Sequence, residues 1–184
     1  MIMHPMHHTP CTIHHTPYTI YHTPYIIQGG TESIILAIKT HRDYFRQKYD
    51  ITQPEMLCGI SAHAAVDKAC DMLGIKLIKL PLDDKFRLDV GAVYRHINSN
   101  TILVYASAPS YPQGAVDDIH TLGAICRDHD VGLHVDCCLG GFVLPFARDA
   151  GLNVPGKYIH IHTHKHTYMY AYTYSYSYSY IYIP

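Results

Sequence analysis

Residues 1–28 contain no Asp, Glu, Lys or Arg, and residues 157–184 carry only two charged side chains, Lys157 and Lys165. Over the whole chain the formal net charge is −1. No excess of one sign exists to draw the chain to nucleic acid or to an anionic membrane surface, so neither is expected as a partner. No stretch reaches the run of about 18 apolar residues that a membrane-spanning helix needs. The first residues lack the basic region and apolar core of a secretory signal. None of the six cysteines (Cys11, Cys58, Cys70, Cys126, Cys137 and Cys138) stands in a C-x-x-C pair. That pattern suits reduced thiols in a cytosol-facing protein better than a disulfide framework.

What is present divides the 184 residues into three segments: 1–28, 29–156 and 157–184. The first repeats His-Thr-Pro themes and holds Pro5, Pro10, Pro17 and Pro24. Prolines so spaced block helix and central strand alike, so the segment reads as disordered. The last, from Tyr158 to Ile183, alternates Tyr or His with Ile, Thr or Ser. Simple DNA repeats translate this way, alternating C and A into His-Thr and T-A-C-A-T-A into Tyr-Ile, and both ends are expected to have that origin. His160, His162 and His164 would share one face of a strand and offer nitrogen ligands to zinc, copper or nickel. Composition alone supports that reading, and no metal is assigned. Tyr174 to Tyr180 has period 2 and could pair as a strand, an aggregation hazard if its edge stays open.

The middle segment alternates helix and strand. Thr31 can N-cap a helix running to about Lys48, with Ile34, Ile35, Ile38 and Phe45 as its core face. Strands are expected at Met56–Ile60, Ile75–Leu80, Thr101–Ala106 and Val131–Val135, and helices at Ser61–Leu73, Asp89–Asn98 and Asp117–His129. Gly74 fits a helix stop. The alternation implies an α/β fold, a mainly parallel sheet with helices on both faces.

Four blocks fall where strands end or helices begin. Gly29-Gly30-Thr31 opens a helix, and bare amides, a hydroxyl and a helix N-terminus suit a phosphate. Alone it is an ordinary loop-to-helix junction. Ser61-Ala62-His63 puts an imidazole near the same rim, where a lone histidine more often serves structure. Ser107-Ala108-Pro109-Ser110-Tyr111-Pro112-Gln113-Gly114 is a stiff loop with hydroxyls, or a plain connection. His134-Val135-Asp136-Cys137-Cys138-Leu139-Gly140-Gly141 ends a strand on an acid, with His134 and Asp136 on one face. A carboxylate at the carboxyl end of a sheet can hold a protonated ring nitrogen, or simply cap the turn.

In this order the four blocks resemble the pyridoxal-phosphate group II decarboxylase family, over roughly Gly29 to Gly151. Within that family the likeness is to lyases that split a phosphorylated long-chain (sphingoid) base into a long-chain aldehyde and ethanolamine phosphate. The resemblance implies part of the large domain of the aspartate-aminotransferase type, pyridoxal 5'-phosphate as cofactor, and a homodimer in the complete family member. It implies Gly30 and Thr31 at the cofactor phosphate, His63 stacked on the ring, Asp136 at the ring nitrogen, and Ser107 and His134 close to the cofactor. It also implies residence at the endoplasmic reticulum membrane facing the cytosol, although the family's anchoring helix is absent here. The departures are Gln28 and Cys137, where the family has smaller residues. Thr163-His164-Lys165-His166 is similar to the context of the family's cofactor-linking lysine, which makes Lys165 the candidate. Against it, the stretch after Gly151 is too short for the sheet segment expected there, and the glycine and Pro-Lys-Gly expected after the lysine are missing. The expectation is a lyase fragment, inactive as written. An amino-acid decarboxylase of the same family and a non-catalytic chain with metal-binding ends are the alternatives.

Overall fold

The computed structural model describes residues 29–141, 143–147, 150–151, 171–172 and 178–182, with side chains for the first of these stretches and part of the second. Helix α1 (Gly30–Tyr49) buries Ile34, Ala37, Ile38, His41 and Phe45 along one stripe, so three of the four expected core residues are buried and Ile35 is half-buried at its margin. Its N-cap is Gly29, not Thr31. The chain enters at φ 86°, a left-handed value that glycine takes without strain, so the helix starts earlier and leaves Thr31 exposed in its first turn. Strand β1 (Glu55–Gly59) leads through a turn at 60–64 into α2 (Ala65–Leu73). That helix starts four residues later than expected, and Gly74 caps it at φ 65°. β2 (Lys76–Leu80), α3 (Val90–His96), β3 (Thr101–Ser107), α4 (Ile119–Asp128) and β4 (Gly132–Asp136) follow. The Asp89 and Asp118 carboxylates cap α3 and α4 by accepting from Ala92 N (3.1 Å) and Thr121 N (3.1 Å). Asp117, expected to open α4, lies one residue before that cap.

The strand order is β2-β1-β3-β4-β6-β5, and the first four strands are parallel. The chain steps outward from β1 to β2, then reverses across the sheet to β3 and β4. Right-handed crossovers in opposite directions put their helices on opposite faces. Accordingly α1 and α2 pack on one face over Met56, Cys58, Ile102 and Tyr105, whereas α3 and α4 cover Leu57, Val104, Leu133 and Val135 on the other. β3 is buried along its whole length, as a central parallel strand covered twice must be. The reversal lies between β1 and β3, and ligands of such sheets bind outside the carboxyl ends at that point.

After α5 (Leu144–Ala147), the short strands β5 (Ala171–Tyr172) and β6 (Tyr178–Tyr182) complete the sheet. β6 pairs antiparallel with β4, from Leu133–Tyr182 to Asp136–Ser179. The edge of β4 is therefore covered, and part of the period-2 tyrosine tract does pair as a strand. Segment 1–28, His160, His162, His164 and Lys165 lie outside the described residues.

Candidate functional site

Helix α1 ends at the amino edge of the sheet before β1, so its N-terminus stands at the carboxyl edge. α2 follows β1 directly, so its N-terminus stands there too. Gly30, Thr31 and His63 are thereby brought to the same edge, on the same face, as Ser107 and Asp136. The N-cap residue, Gly29, has no side chain with which to cap the start of α1. A Cβ at Gly29 would meet nothing within 4 Å, so backbone conformation and not crowding requires glycine there. First-turn amides, a threonine hydroxyl and the positive end of a 20-residue helix are a combination suited to an anion.

His63 is exposed, and its ring is fixed from behind, because Nδ1 accepts from Ala65 N at 3.1 Å. That bond assigns the proton of the neutral ring to Nε2.

Asp136 is half-buried at the end of β4. Its Oδ1 accepts from Cys138 N at 2.9 Å and its Oδ2 from the Tyr105 hydroxyl at 2.5 Å. Each oxygen keeps a further lone pair for a ligand. Burial, then the neighbouring Asp136 charge, raises the Tyr105 phenol well above its usual value of 10.0, so it remains a donor at ordinary pH. Gly140 approaches the preceding loop so closely that a Cβ there would lie 2.1 Å from Ala108 O. This contact fastens the turn after Asp136 against the loop after β3.

Ser107 pairs with Asp136 across the two strands and is buried. Its amide donates to Asp117 Oδ2 at 2.7 Å, while Leu88 N donates to Asp117 Oδ1 at 2.7 Å. Asp117 is thus a buried clamp between the loop after β2 and the end of β3. Desolvation raises its carboxyl against the lowering effect of those two amides. His134 lies one step below Asp136 and is fully buried, its ring centroid 5.4 Å from that of Tyr105. Among the described residues neither ring nitrogen has a hydrogen-bond partner, and burial lowers its pKa to about 3. His134 therefore sits in the floor of the site and not at its open rim.

Tyr105 and Asp117 were not singled out from sequence. Alternation within β4 puts His134 and Asp136 together, but the Tyr105 contact depends on the β3–β4 register, which no local pattern encodes.

The family model for the pyridoxal-dependent decarboxylase conserved domain matches residues 10–172. The chain belongs to the pyridoxal-dependent decarboxylase family. Members of that family work with pyridoxal 5'-phosphate, and the lyases among them include clear relatives of this chain. It is 52% identical over 127 residues to a sphingosine-1-phosphate lyase of Arabidopsis thaliana, covering 69% of this chain and 23% of that protein. It is 42% identical over 130 residues to a probable L-aspartate decarboxylase of Pyrococcus furiosus, covering 71% of this chain and 34% of that protein. Among solved structures, the sphingosine-1-phosphate lyase of Burkholderia pseudomallei superposes with a TM-score of 0.66 at 38% identity, covering 67% of this chain and 28% of that one. The chain thus spans about a quarter to a third of the length of these relatives.

The chemistry of the site suits this family's cofactor. The amides of a helix's first turn suit a phosphate, an exposed imidazole offers a flat surface, and a carboxylate with spare lone pairs suits a ring nitrogen. When bound, pyridoxal 5'-phosphate supplies an electron-accepting ring. Among the described residues no helix is long and apolar enough to cross a membrane. Nor does any group of three or more His, Cys, Asp or Glu among them offer a metal site.

Proposed function

We propose that this chain holds pyridoxal 5'-phosphate with Gly30 and Thr31 at the phosphate, His63 against the ring and Asp136 at the ring nitrogen. Ser107 borders Asp136, and His134 supports it from below. Asp136 carries the assignment: a half-buried carboxylate, held by two donors, at the carboxyl end of a parallel strand. Its own role is to keep a proton on the ring nitrogen, and the role of the α1 N-terminus is to fix the phosphate.

For the whole protein we propose cleavage of a phosphorylated long-chain base, sphingosine 1-phosphate, to a long-chain aldehyde and ethanolamine phosphate, a step of sphingolipid breakdown. Two observations support this over amino-acid decarboxylation. The Arabidopsis relative is the more similar, 52% against 42% identical. Large apolar side chains also stand exposed on loops at the carboxyl edge, Ile60 at 61%, Tyr111 at 77% and Leu139 at 53%, a surface suited to a hydrocarbon chain. The decarboxylase reading rests on the Pyrococcus relative. A homodimer, with the second copy covering part of that apolar rim, belongs to the same proposal and is tested by sedimentation of the chain with its cofactor.

Absorbance titration with pyridoxal 5'-phosphate tests the cofactor assignment. Saturable binding that Asp136→Ala weakens about 100-fold supports it, and non-saturable uptake overturns it. With cofactor bound, sphingosine 1-phosphate is expected to change the spectrum and aspartate or glutamate to leave it unchanged; the reverse favours decarboxylation. Lys165 is tested by borohydride trapping and peptide mass spectrometry. The expected result is an unlabelled Lys165, and a label there would make it the cofactor-linking lysine.

A further inference from the structure

We infer that Tyr105 is a positioning residue for Asp136, setting the carboxylate that meets the cofactor's ring nitrogen; the inference rests on the cofactor assignment above. Tyr105 projects from the middle of β3, opposite His134 and two residues short of the strand's end. A phenol is long enough to climb that distance, and its hydroxyl reaches Asp136 Oδ2 on the neighbouring strand at 2.5 Å. The ring is 1% exposed, so the hydroxyl cannot turn to bulk water. Losing this bond would leave a buried hydroxyl unpaired, which holds the pair together. Oδ1 is held from the other side by the Cys138 amide. One backbone and one side-chain donor thus fix the carboxylate plane and leave each oxygen a lone pair for the ligand. Two of the three groups involved are part of the strands themselves, so the β3–β4 register is built into the position of the acid.

The test compares two ligands, pyridoxal 5'-phosphate and its 1-deaza analogue, which keeps phosphate and ring but lacks the ring nitrogen. With Tyr105→Phe the packed ring remains and only the hydroxyl is lost. Affinity for pyridoxal 5'-phosphate is expected to fall about tenfold, equivalent to about 1.4 kcal/mol, and affinity for the analogue by less than about twofold. In an Asp136→Asn background the same substitution should no longer discriminate between the ligands. Equal losses for both ligands, or none for either, would overturn the inference. A second reading needs no variant. In the unaltered chain with 13C-labelled tyrosine, the Tyr105 hydroxyl proton should shift on adding pyridoxal 5'-phosphate and shift less with the analogue; identical shifts would overturn the role. If the unaltered chain binds neither ligand, the cofactor assignment fails, a result distinct from equal losses in the variant.

Discussion

Two carboxylates stand at the carboxyl edge of the sheet, and they are built for opposite purposes. Asp117, on the side of α3 and α4, is buried, and each of its oxygens is taken by a backbone amide from a different segment. Asp136, on the side of α1 and α2, is half-buried and held by one amide and one phenol. Full enclosure makes the first a structural clamp, whose removal strands two amides. Partial enclosure makes the second a group available to a ligand. Residue type alone does not separate them, nor does the number of donors, two for each; burial and the origin of the donors do.

The separation is broken most severely by removing each acid. Asp117→Ala leaves Leu88 N and Ser107 N without acceptors and is expected to cost about 3 kcal/mol of stability in urea unfolding. Asp136→Ala is expected to weaken pyridoxal 5'-phosphate binding about 100-fold, equivalent to about 2.7 kcal/mol, and to cost about 1–2 kcal/mol in urea unfolding, less than Asp117→Ala, because it strands one buried hydroxyl. If Asp136→Ala proves the more destabilising and Asp117→Ala the more damaging to cofactor binding, the two roles are reversed.

Gly140→Ala comes next. It forces a Cβ against Ala108 O and should cost about 1–3 kcal/mol while also loosening cofactor binding, because the displaced turn carries the Cys138 amide. Loss of stability with unchanged affinity would show that the turn does not hold Asp136.

Beneath Asp136, His134 gives the site side its own pH dependence. Its pKa is lowered from 6.5 to about 3 by burial. Between these values the unfolded chain binds a proton that the folded chain refuses, so stability is full above 6.5 and falls with falling pH. The slope in that window is about 1.4 kcal/mol per pH unit. Asp117, raised by burial, acts in the opposite sense: its contribution is present below 3.8 and is lost as pH rises through its folded value. His134→Met should flatten the slope seen in urea titrations from pH 6.5 downward, and an unchanged slope would assign it to another group. The smallest effect is expected away from both acids. Lys39 and Asp43 form an exposed ion pair one turn apart on α1, and Lys39→Ala should cost under about 0.5 kcal/mol and leave cofactor binding alone.

Much of this arrangement is legible in the chain. The helix faces follow from apolar spacing: Ile34, Ile38 and Phe45 in α1 and Val66, Ala69 and Cys70 in α2 are among the residues buried. The pairing of His134 with Asp136 on one face follows from strand alternation. What was not legible depends on tertiary partners. Asp117 and Asp118 are adjacent acids before a helix, and only the fold decides that Asp118 caps while Asp117 clamps. The Tyr105 contact needs a register between strands 29 residues apart in sequence, and Gly29 displaced Thr31 as cap because its φ, invisible in the sequence, is positive. The strand at Tyr178–Tyr182 is readable as a period-2 segment, but its place against β4 is not.

The most direct measurement is a crystal structure of the chain grown with pyridoxal 5'-phosphate. It should show the ring nitrogen within about 2.6–3.0 Å of an Asp136 oxygen and the phosphate at the first turn of α1. A bound cofactor whose ring nitrogen faces another group, with its phosphate away from Gly30 and Thr31, would contradict the account.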